Sequence, residues 1–224
     1  MPKLNIAPFS ARLRVRVRWG YAAVLMLCAG TALAGAQKYE PLSASVQARL
    51  SKSISDRAAE GGFTETTSAR DWIAEMSRRL EKRIPDPEFR QDFLGTVYYE
   101  ATRAGLDPEL VMGLIEVESA FRKYAVSSAG ARGYMQVMPF WVNLVGTQEH
   151  NLFHLRLNLR YGCTILRHYL DIEKGDLYRA LGRYNGSLGK PEYPNLVRTA
   201  WKDRWLYTDS APTLPPGKQA RAGN

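Results

Sequence analysis

Two glutamates, Glu116 and Glu118, stand two residues apart in the apolar run "LVMGLIEVESAF" of this 224-residue chain. The preceding Asp107 and Pro108 predict the start of a helix, and a helix turns by about 100° per residue. On this count Glu118 falls within the apolar arc, close to Leu114, whereas Glu116 falls on the opposite side. The spacing therefore predicts that Glu118 is buried and that Glu116 faces solvent.

A carboxyl group on an apolar helix face has a specific chemical use. Burial disfavours its charged form and raises its pKa, at about 1.4 kcal/mol per unit. A glutamic acid that stays protonated near neutral pH can act as a general acid, and glycoside cleavage needs such an acid to protonate the leaving oxygen. The pattern leaves open a structural alternative, in which Glu118 is buried because it pairs with an arginine or accepts from backbone donors.

The loop after this helix, "SSAGARGYMQVMP", contains a second polar group among apolar neighbours. Gly130 and Gly133 allow the backbone to approach a ligand closely. Gln136 can both donate and accept hydrogen bonds, and sugar hydroxyls or an acetamido group are suitable partners. Together with an acid just upstream, the loop indicates a sugar-binding site.

These residues and two later segments resemble the soluble lytic transglycosylase family, whose catalytic domain has a goose-lysozyme-like fold. The first segment matches at Glu118-Ser119, Phe121, Ala125, Ser127, Gly130-Ala131, Gly133, Met135-Gln136 and Met138-Pro139. The later segments match at Asn158-Leu159, Gly162, Ile165-Leu166 and Tyr184-Asn185. The chain departs from the family pattern at Tyr134, usually leucine, at Arg183, usually alanine, and at Gly186-Ser187, usually Ala-Gly. These departures leave the acid intact and bear on which subsites are preferred.

The resemblance implies a peptidoglycan lytic transglycosylase that uses no cofactor and no metal. Glu118 is the implied catalytic acid, which later acts as a base on strands of N-acetylglucosamine and N-acetylmuramic acid. Tyr184 is expected to help hold that carboxyl group or the scissile sugar. The expected substrate-binding residues are Ser127, Tyr134, Met135, Gln136, Tyr184 and Asn185.

A second catalytic carboxylate is not evident in the sequence, although a typical glycosidase has two. If Glu118 acts alone, the 2-acetamido oxygen of the substrate attacks the anomeric carbon, and the C6 hydroxyl then closes a 1,6-anhydro ring. Two alternatives remain open. One is a lysozyme-like hydrolase, which needs an extra carboxylate to activate water, and the other is a non-catalytic glycan-binding scaffold protein.

Other candidate groups carry weaker signals. His150 and His154 have the i, i+4 spacing of a metal pair, but no glutamate follows His150 as in a zinc-protease motif, so a metal site is not expected. Cys163 lies between leucines on a helical pattern, which favours a buried thiol over a nucleophile.

The elements that position these residues are helical almost throughout, so the predicted fold class is all-α. Residues 86–207 are the expected goose-type lysozyme-like catalytic domain, whose first helix is predicted to have Asp86 as its N-cap and Pro87 at its first position. Residues 37–85 form an N-terminal helical extension with one helix over Leu42–Ile54 and another over Trp72–Leu80, the latter capped by Ser68. Residues 208–224 are rich in Pro, Gly and Ala, which predicts a disordered tail. Further helices are predicted near residues 137–145, 156–172, 177–184 and 194–206.

Residues 1–36 have the composition of a secretory signal peptide: five basic residues and no acid, then a short apolar run that ends in small residues. The run is shorter than the ~20 apolar residues of a spanning helix, and an uncleaved anchor is the alternative. Cleavage near Ala36 leaves a net charge of +4 from the 31 basic and 22 acidic residues of the chain. No basic stripe remains, so a nucleic-acid partner is not expected. We expect a periplasmic protein that acts on peptidoglycan, with residues 37–85 bracing the catalytic domain or docking on a cell-wall assembly.

Overall fold

The computed structural model describes residues 37–55 and 67–207. The predicted signal peptide (1–36) and tail (208–224) lie outside the described residues. The described ranges fold into α-helices, one π-helical segment and two isolated antiparallel bridges, with no extended sheet, which confirms the all-α class. The helices are α1 (Ala44–Ser55), α2 (Thr67–Leu80), α3 (Pro87–Arg103), α4 (Pro108–Ser119), α5 (Phe140–Val145), α6 (Leu155–Ile172), α7 (Leu177–Asn185) and α8 (Glu192–Thr199), followed by the π-helical segment (Ala200–Trp205). Within these described ranges, no helix combines the length and apolar character that a bilayer crossing requires.

Two helix starts follow the local sequence closely. The Asp86 side chain accepts from the backbone N–H groups of residues 88 and 89 at 3.0 and 3.3 Å, and Asp107 does the same for residues 109 and 110 at 2.8 and 3.2 Å. Each cap is followed by proline at the first helical position, as predicted. The cap predicted at Ser68 is wrong, because α2 already begins at Thr67 and a cap residue lies outside the helical conformation.

Helix α4 runs through the core, where its closest neighbour is the π-helical segment. Gly113 makes this approach feasible, because a Cβ atom at that position would lie 2.7 Å from the backbone nitrogen of Trp201. The side chains of Leu110, Leu114 and Ile115 are buried around it. The helix that carries the two glutamates is therefore covered on more sides than its sequence pattern indicates.

Glu116 shows this difference directly, because the prediction that it faces solvent is wrong. Its side chain is only 12% exposed and binds two arginines, Arg83 at 2.6 Å and Arg204 at 2.9 Å. The indole Nε1–H of Trp205 also donates to Glu116 Oε2 at 2.6 Å. The π-helical segment covers the side of α4 that would otherwise meet water, and Glu116 anchors this segment through Arg204 and Trp205.

The N-terminal extension packs on the helical body. Leu50 and Ile54 of α1 are buried, and α1 lies against α5 and α6. The last carbonyl groups of a helix lack partners within the helix, and here arginines supply them. Arg103 donates to the carbonyl oxygen of Ser53 at 2.9 Å, and Arg160 donates to that of Ile54 at 3.5 Å. These contacts fit the bracing role expected for the extension.

The segment before α1 reaches the loop that carries the sequence motif. Gln37 is buried, its Nε2 donates to the carbonyl oxygen of Gln136 at 3.3 Å, and its Oε1 accepts from the backbone N–H of Met138 at 3.2 Å. Glu40 forms an ion pair with Arg183 at 3.0 Å. The extension therefore contacts the motif loop as well as the helices behind it.

Candidate active site

Glu118 lies in the last turn of α4 and is 2% exposed, so the burial predicted from the helical pattern is confirmed. Its Oε1 accepts a hydrogen bond from the hydroxyl group of Tyr193, 75 residues further along the chain in α8, at 2.5 Å. Burial disfavours a negative charge, and so does the negative end of the helix dipole. Both effects disfavour the carboxylate, whereas the hydrogen bond from Tyr193 favours it.

Two residues in left-handed conformation follow Ser119, the last residue of α4. Ala120 has φ 50° and Phe121 has φ 63°, a conformation that costs of order 1–3 kcal/mol for a non-glycine residue. Packing of Phe121 offsets the cost, because its ring lies 6.1 Å from that of Phe93 and 5.3 Å from that of Trp205. The helix end, and with it the Glu118 side chain, is thereby fixed in place.

Tyr193 remains a hydrogen-bond donor over the whole neutral pH range. Burial, together with the nearby Glu118, holds the pKa of the Tyr193 hydroxyl well above its ordinary value. The sequence does not indicate the contact of Tyr193 with Glu118, because an aromatic side chain on a short helix has the same pattern as an ordinary core residue. Its only local signal is a tyrosine beside proline on the apolar side of α8.

The motif loop is held together by a small ribbon. Val126 pairs with Arg132, and Arg132 pairs with Val137, in two antiparallel bridges. The Oγ atom of the half-buried Ser127 accepts from the backbone N–H of Ala131 at 3.0 Å. The loop that contains the predicted substrate residues is therefore ordered by its own hydrogen bonds.

Gln136 lies inside this loop, where it is 1% exposed and has φ 47°. Its Nε2 donates to the carbonyl oxygens of Ala125 at 3.0 Å and Gly133 at 2.9 Å. The side-chain amide nitrogen, for which the sequence suggested sugar partners, thus binds backbone carbonyls. Gln136 determines the shape of the loop.

Met135 links the loop to two helices. Its backbone N–H donates to Asn158 Oδ1 in α6 at 2.8 Å, and its carbonyl oxygen accepts from the hydroxyl of Tyr184 in α7 at 2.7 Å. Gly162 leaves space for the side chain, because a Cβ atom there would lie 2.3 Å from Met135 Sδ. The hydroxyl of Tyr184 therefore positions the motif loop, while Tyr193 makes the contact with Glu118.

Gly133 has a structural use that the sequence did not indicate. Its φ is +76°, and a Cβ atom there would lie 2.4 Å from Asn158 Nδ2 and 2.6 Å from the carbonyl oxygen of Leu152. The close approach that the glycine allows is to these two groups. Asn158 Nδ2 in turn donates to the carbonyl oxygens of Arg132 and Leu152 at 2.9 and 2.8 Å.

Tyr134 and Asn185, also expected to bind substrate, lie in different surroundings. Tyr134 is 2% exposed, its ring lies 5.0 Å from that of Phe93, and burial raises the pKa of its hydroxyl to about 12. Asn185 ends α7 and donates to Ser187 Oγ at 3.1 Å, whereas its Oδ1 is buried with no hydrogen-bond partner within the described part of the chain.

Other buried carboxylates form ion pairs with arginines. Glu100 is fully buried, and Arg160 at 2.8 Å and Arg103 at 3.0 Å bind its carboxylate. Glu173, with a side chain only 7% exposed, binds Arg183 and Arg179. Glu118 accepts a hydrogen bond from the hydroxyl of a tyrosine.

His150 and Cys163 lie in environments typical of residues that stabilise the fold. His150 Nδ1 lies 2.8 Å from the hydroxyl of Tyr161, and Cys163 is a buried free thiol, as predicted, whose pKa is raised by burial. Across residues 37–55 and 67–207, no three His, Cys, Asp or Glu side chains come together in the manner of a metal site.

The fold and site together define an all-helical protein with a buried glutamic acid beside a tyrosine hydroxyl. Residues 96–200 match the family model described as the transglycosylase SLT domain. The match covers less than half of the chain, and it confirms the resemblance to the soluble lytic transglycosylase family.

Several named proteins are similar to parts of the chain. A stretch of 90 residues is 51% identical to the membrane-bound lytic murein transglycosylase C of Actinobacillus pleuropneumoniae serotype 5b (strain L20), covering 40% of this chain and 22% of that protein. A stretch of 128 residues is 32% identical to the transglycosylase of Enterobacteria phage PRD1, covering 54% of this chain and 46% of that protein. The X-ray structure of an inactive mutant of lytic transglycosylase Slt from Pseudomonas aeruginosa aligns with a TM-score of 0.38 at 24% identity, over 58% of this chain and 22% of that one. The chain thus spans less than half the length of either curated relative.

Proposed function

We propose that this chain is a peptidoglycan lytic transglycosylase, which cleaves the glycosidic bond between N-acetylmuramic acid and N-acetylglucosamine and leaves a 1,6-anhydro end. The observation that carries the proposal is the buried Glu118 at the end of α4, hydrogen-bonded to Tyr193 beside the SLT motif loop. The names of the similar proteins support the same activity and the same polymer, murein.

In the first step, Glu118 donates its proton to the glycosidic oxygen. The 2-acetamido oxygen of the muramic acid attacks C1 at the same time, so that the C1–O bond to the leaving sugar breaks and a C1–O bond to the acetamido group forms. Glu118 becomes a carboxylate, and the hydroxyl of Tyr193 stabilises that charge by donating to Oε1.

In the second step, the Glu118 carboxylate takes the proton of the C6 hydroxyl of the same sugar. The C6 oxygen attacks C1, the bond to the acetamido oxygen breaks, and the 1,6-anhydro ring closes. Glu118 is then protonated again, and no water is consumed. This single-acid scheme is supported by the ion pairs of Glu100, Glu116 and Glu173, because arginines already bind these carboxylates.

Digestion of purified sacculi, followed by mass spectrometry of the soluble fragments, tests the proposal. We expect anhydromuramic ends from the wild-type chain and a loss of activity of at least a hundredfold in Glu118→Gln. Reducing ends would instead indicate a lysozyme-like hydrolase. A folded Glu118→Gln variant with wild-type activity would contradict the single-acid scheme whatever the product.

We also propose that the protein acts in the periplasm, where peptidoglycan is accessible. The export signal predicted in residues 1–36 supports this location, and so does the name of a similar protein, membrane-bound lytic murein transglycosylase C. A partner for residues 37–85 in a cell-wall assembly stays a proposal as well. Cell fractionation with an antibody against the catalytic domain tests the location, and a cytoplasmic pool alone would contradict it.

A further inference from the structure

Two aromatic rings stand at the surface of the loop that follows the candidate acid. Tyr124 is 70% exposed, and its ring lies 5.7 Å from that of the half-buried Phe153. Val126, two residues on, is 61% exposed. Exposed apolar side chains that lie together in one patch mark interaction and ligand-binding surfaces.

Hydrogen bonds hold this surface rigidly to the candidate active site. The carbonyl oxygen of Ala125 accepts from Gly133 N–H at 2.9 Å and from Gln136 Nε2 at 3.0 Å. Tyr124 follows Glu118 by six residues, which extend at most about 22 Å. A polymer bound at the acid can therefore reach the Tyr124 ring within a few sugar units.

The charge of the loop is one-sided. Between Ser119 and Gln148 the sequence contains Arg122, Lys123 and Arg132, and no aspartate or glutamate. Arg122 and Arg132 are exposed, and Lys123 Nζ lies 5.3 Å from the centre of the Tyr124 ring. The loop that carries Tyr124 is therefore complementary to an anionic ligand, whereas the segment before Phe153 contains one exposed acid, Glu149.

We propose that Tyr124 and Phe153 form a stacking subsite for a sugar ring of the glycan strand, and that Lys123 and Arg132 bind the carboxylates of its attached peptide. This subsite rests on the proposed function and adds the requirement for a peptide-bearing strand. It is the combination of exposed rings, basic side chains and an acid-free loop that selects this ligand.

The two halves of the subsite contribute differently. The face of a tyrosine or phenylalanine ring carries negative charge density, which attracts the C–H bonds on the flat face of a pyranose. Arg132 is exposed and Lys123 is half-buried, so their pairing with peptide carboxylates is weaker and is screened by salt. The rings therefore supply most of the affinity, and the charges supply the preference for peptide-bearing strands.

Co-sedimentation with purified sacculi tests the stacking half, with every variant made in the Glu118→Gln background so that the polymer stays intact. We expect Tyr124→Ala and Phe153→Ala each to weaken binding about tenfold, which corresponds to about 1.4 kcal/mol. Tyr39→Ala is the matched control, because Tyr39 is 60% exposed and its ring lies 5.7 Å from that of Phe140, the same separation. We expect that control to bind as its parent does.

The charged half is tested with sacculi whose peptides have been removed by an amidase. We expect Lys123→Gln with Arg132→Gln to weaken binding to intact sacculi at low salt and to leave binding to the stripped glycan unchanged. Equal effects on both polymers would overturn the assignment of these residues to the peptide. In the active chain, Tyr124→Ala should raise KM with kcat unchanged.

The outcomes separate this subsite from the proposed function. If the wild-type chain releases anhydro fragments while Tyr124→Ala and Phe153→Ala bind and cleave as the wild type does, the subsite is wrong and the function stands. If the wild-type chain neither binds nor cleaves sacculi, the proposed function fails, and the subsite fails with it. Circular dichroism melts of each variant confirm that the fold is retained.

Discussion

The hydrogen bond from Tyr193 to Glu118 leads to a quantitative prediction for Tyr193→Phe, which removes one hydroxyl and keeps the ring. The carboxylate that forms when Glu118 gives up its proton loses a donor that lies at 2.5 Å in the native protein. A hydrogen bond to a charged group contributes about 1.5–3 kcal/mol. Because 1.36 kcal/mol corresponds to a factor of ten in rate, kcat should fall about ten- to 150-fold.

The pH dependence should change in a definite direction. A donor to a carboxylate favours the charged form, so its removal favours the protonated acid. Glu118 then keeps its proton to higher pH. The alkaline limb of the kcat–pH profile should therefore move to higher pH in Tyr193→Phe. The assay is the initial rate of anhydro-fragment release from labelled glycan strands, measured over a series of buffers.

Tyr184→Phe provides the matched control, because Tyr184 is also fully buried but its hydroxyl donates to the carbonyl oxygen of Met135. This variant should lose about 1 kcal/mol of stability and should keep the wild-type position of the alkaline limb. The reasoning is refuted if Tyr193→Phe, folded and stable, retains both the kcat and the pH profile of the wild type. It is also refuted if the two variants shift the profile equally.

Three further substitutions probe the scaffold of the site. Glu116→Ala leaves the Trp205 indole N–H without its acceptor and should cost about 2 kcal/mol in denaturant unfolding, while the folded variant still releases anhydro ends; reducing ends would contradict this. Gly162→Ala places a Cβ atom 2.3 Å from Met135 Sδ, so we expect about 1–3 kcal/mol of destabilisation with a lower kcat, and wild-type values in both measurements would count against the packing argument. Burial, with a neighbouring carboxyl group, raises the pKa of Glu109 to about 8, so the folded chain retains a proton that the unfolded chain releases above about pH 4.5. Stability should therefore fall as pH rises from about 4.5 to about 8, and Glu109→Gln should flatten that slope in thermal melts; an unchanged slope would contradict the burial argument.

Local physical chemistry was sufficient to predict the starts of α3 and α4 from the sequence. Asp86 and Asp107 cap their helices through bonds that span two or three residues, and the proline after each fixes the first turn. The inward direction of Glu118 followed from the same local information, because the position of Asp107 determines the phase of every residue in α4.

Long-range contacts are what the sequence could not supply. Glu116 was predicted to face solvent because a helical pattern does not show which distant segment covers a polar face, and here the π-helical segment brings Arg204 and Trp205 to it. The contact of Tyr193 with Glu118 was missed for a related reason, since the two residues lie 75 positions apart. Gly133 was interpreted as a ligand contact, yet the group that requires the absent Cβ atom is Asn158.

The left-handed backbone at Ala120 and Phe121 also limits how this chain can vary. Valine, isoleucine and threonine are branched at Cβ and are strongly disfavoured in that conformation, as they are at Gln136, where φ is 47°. In a saturation library selected for wall-degrading activity, β-branched residues should be depleted at these three positions. Asparagine and glycine should be retained most often at position 120, because the side chain there is exposed.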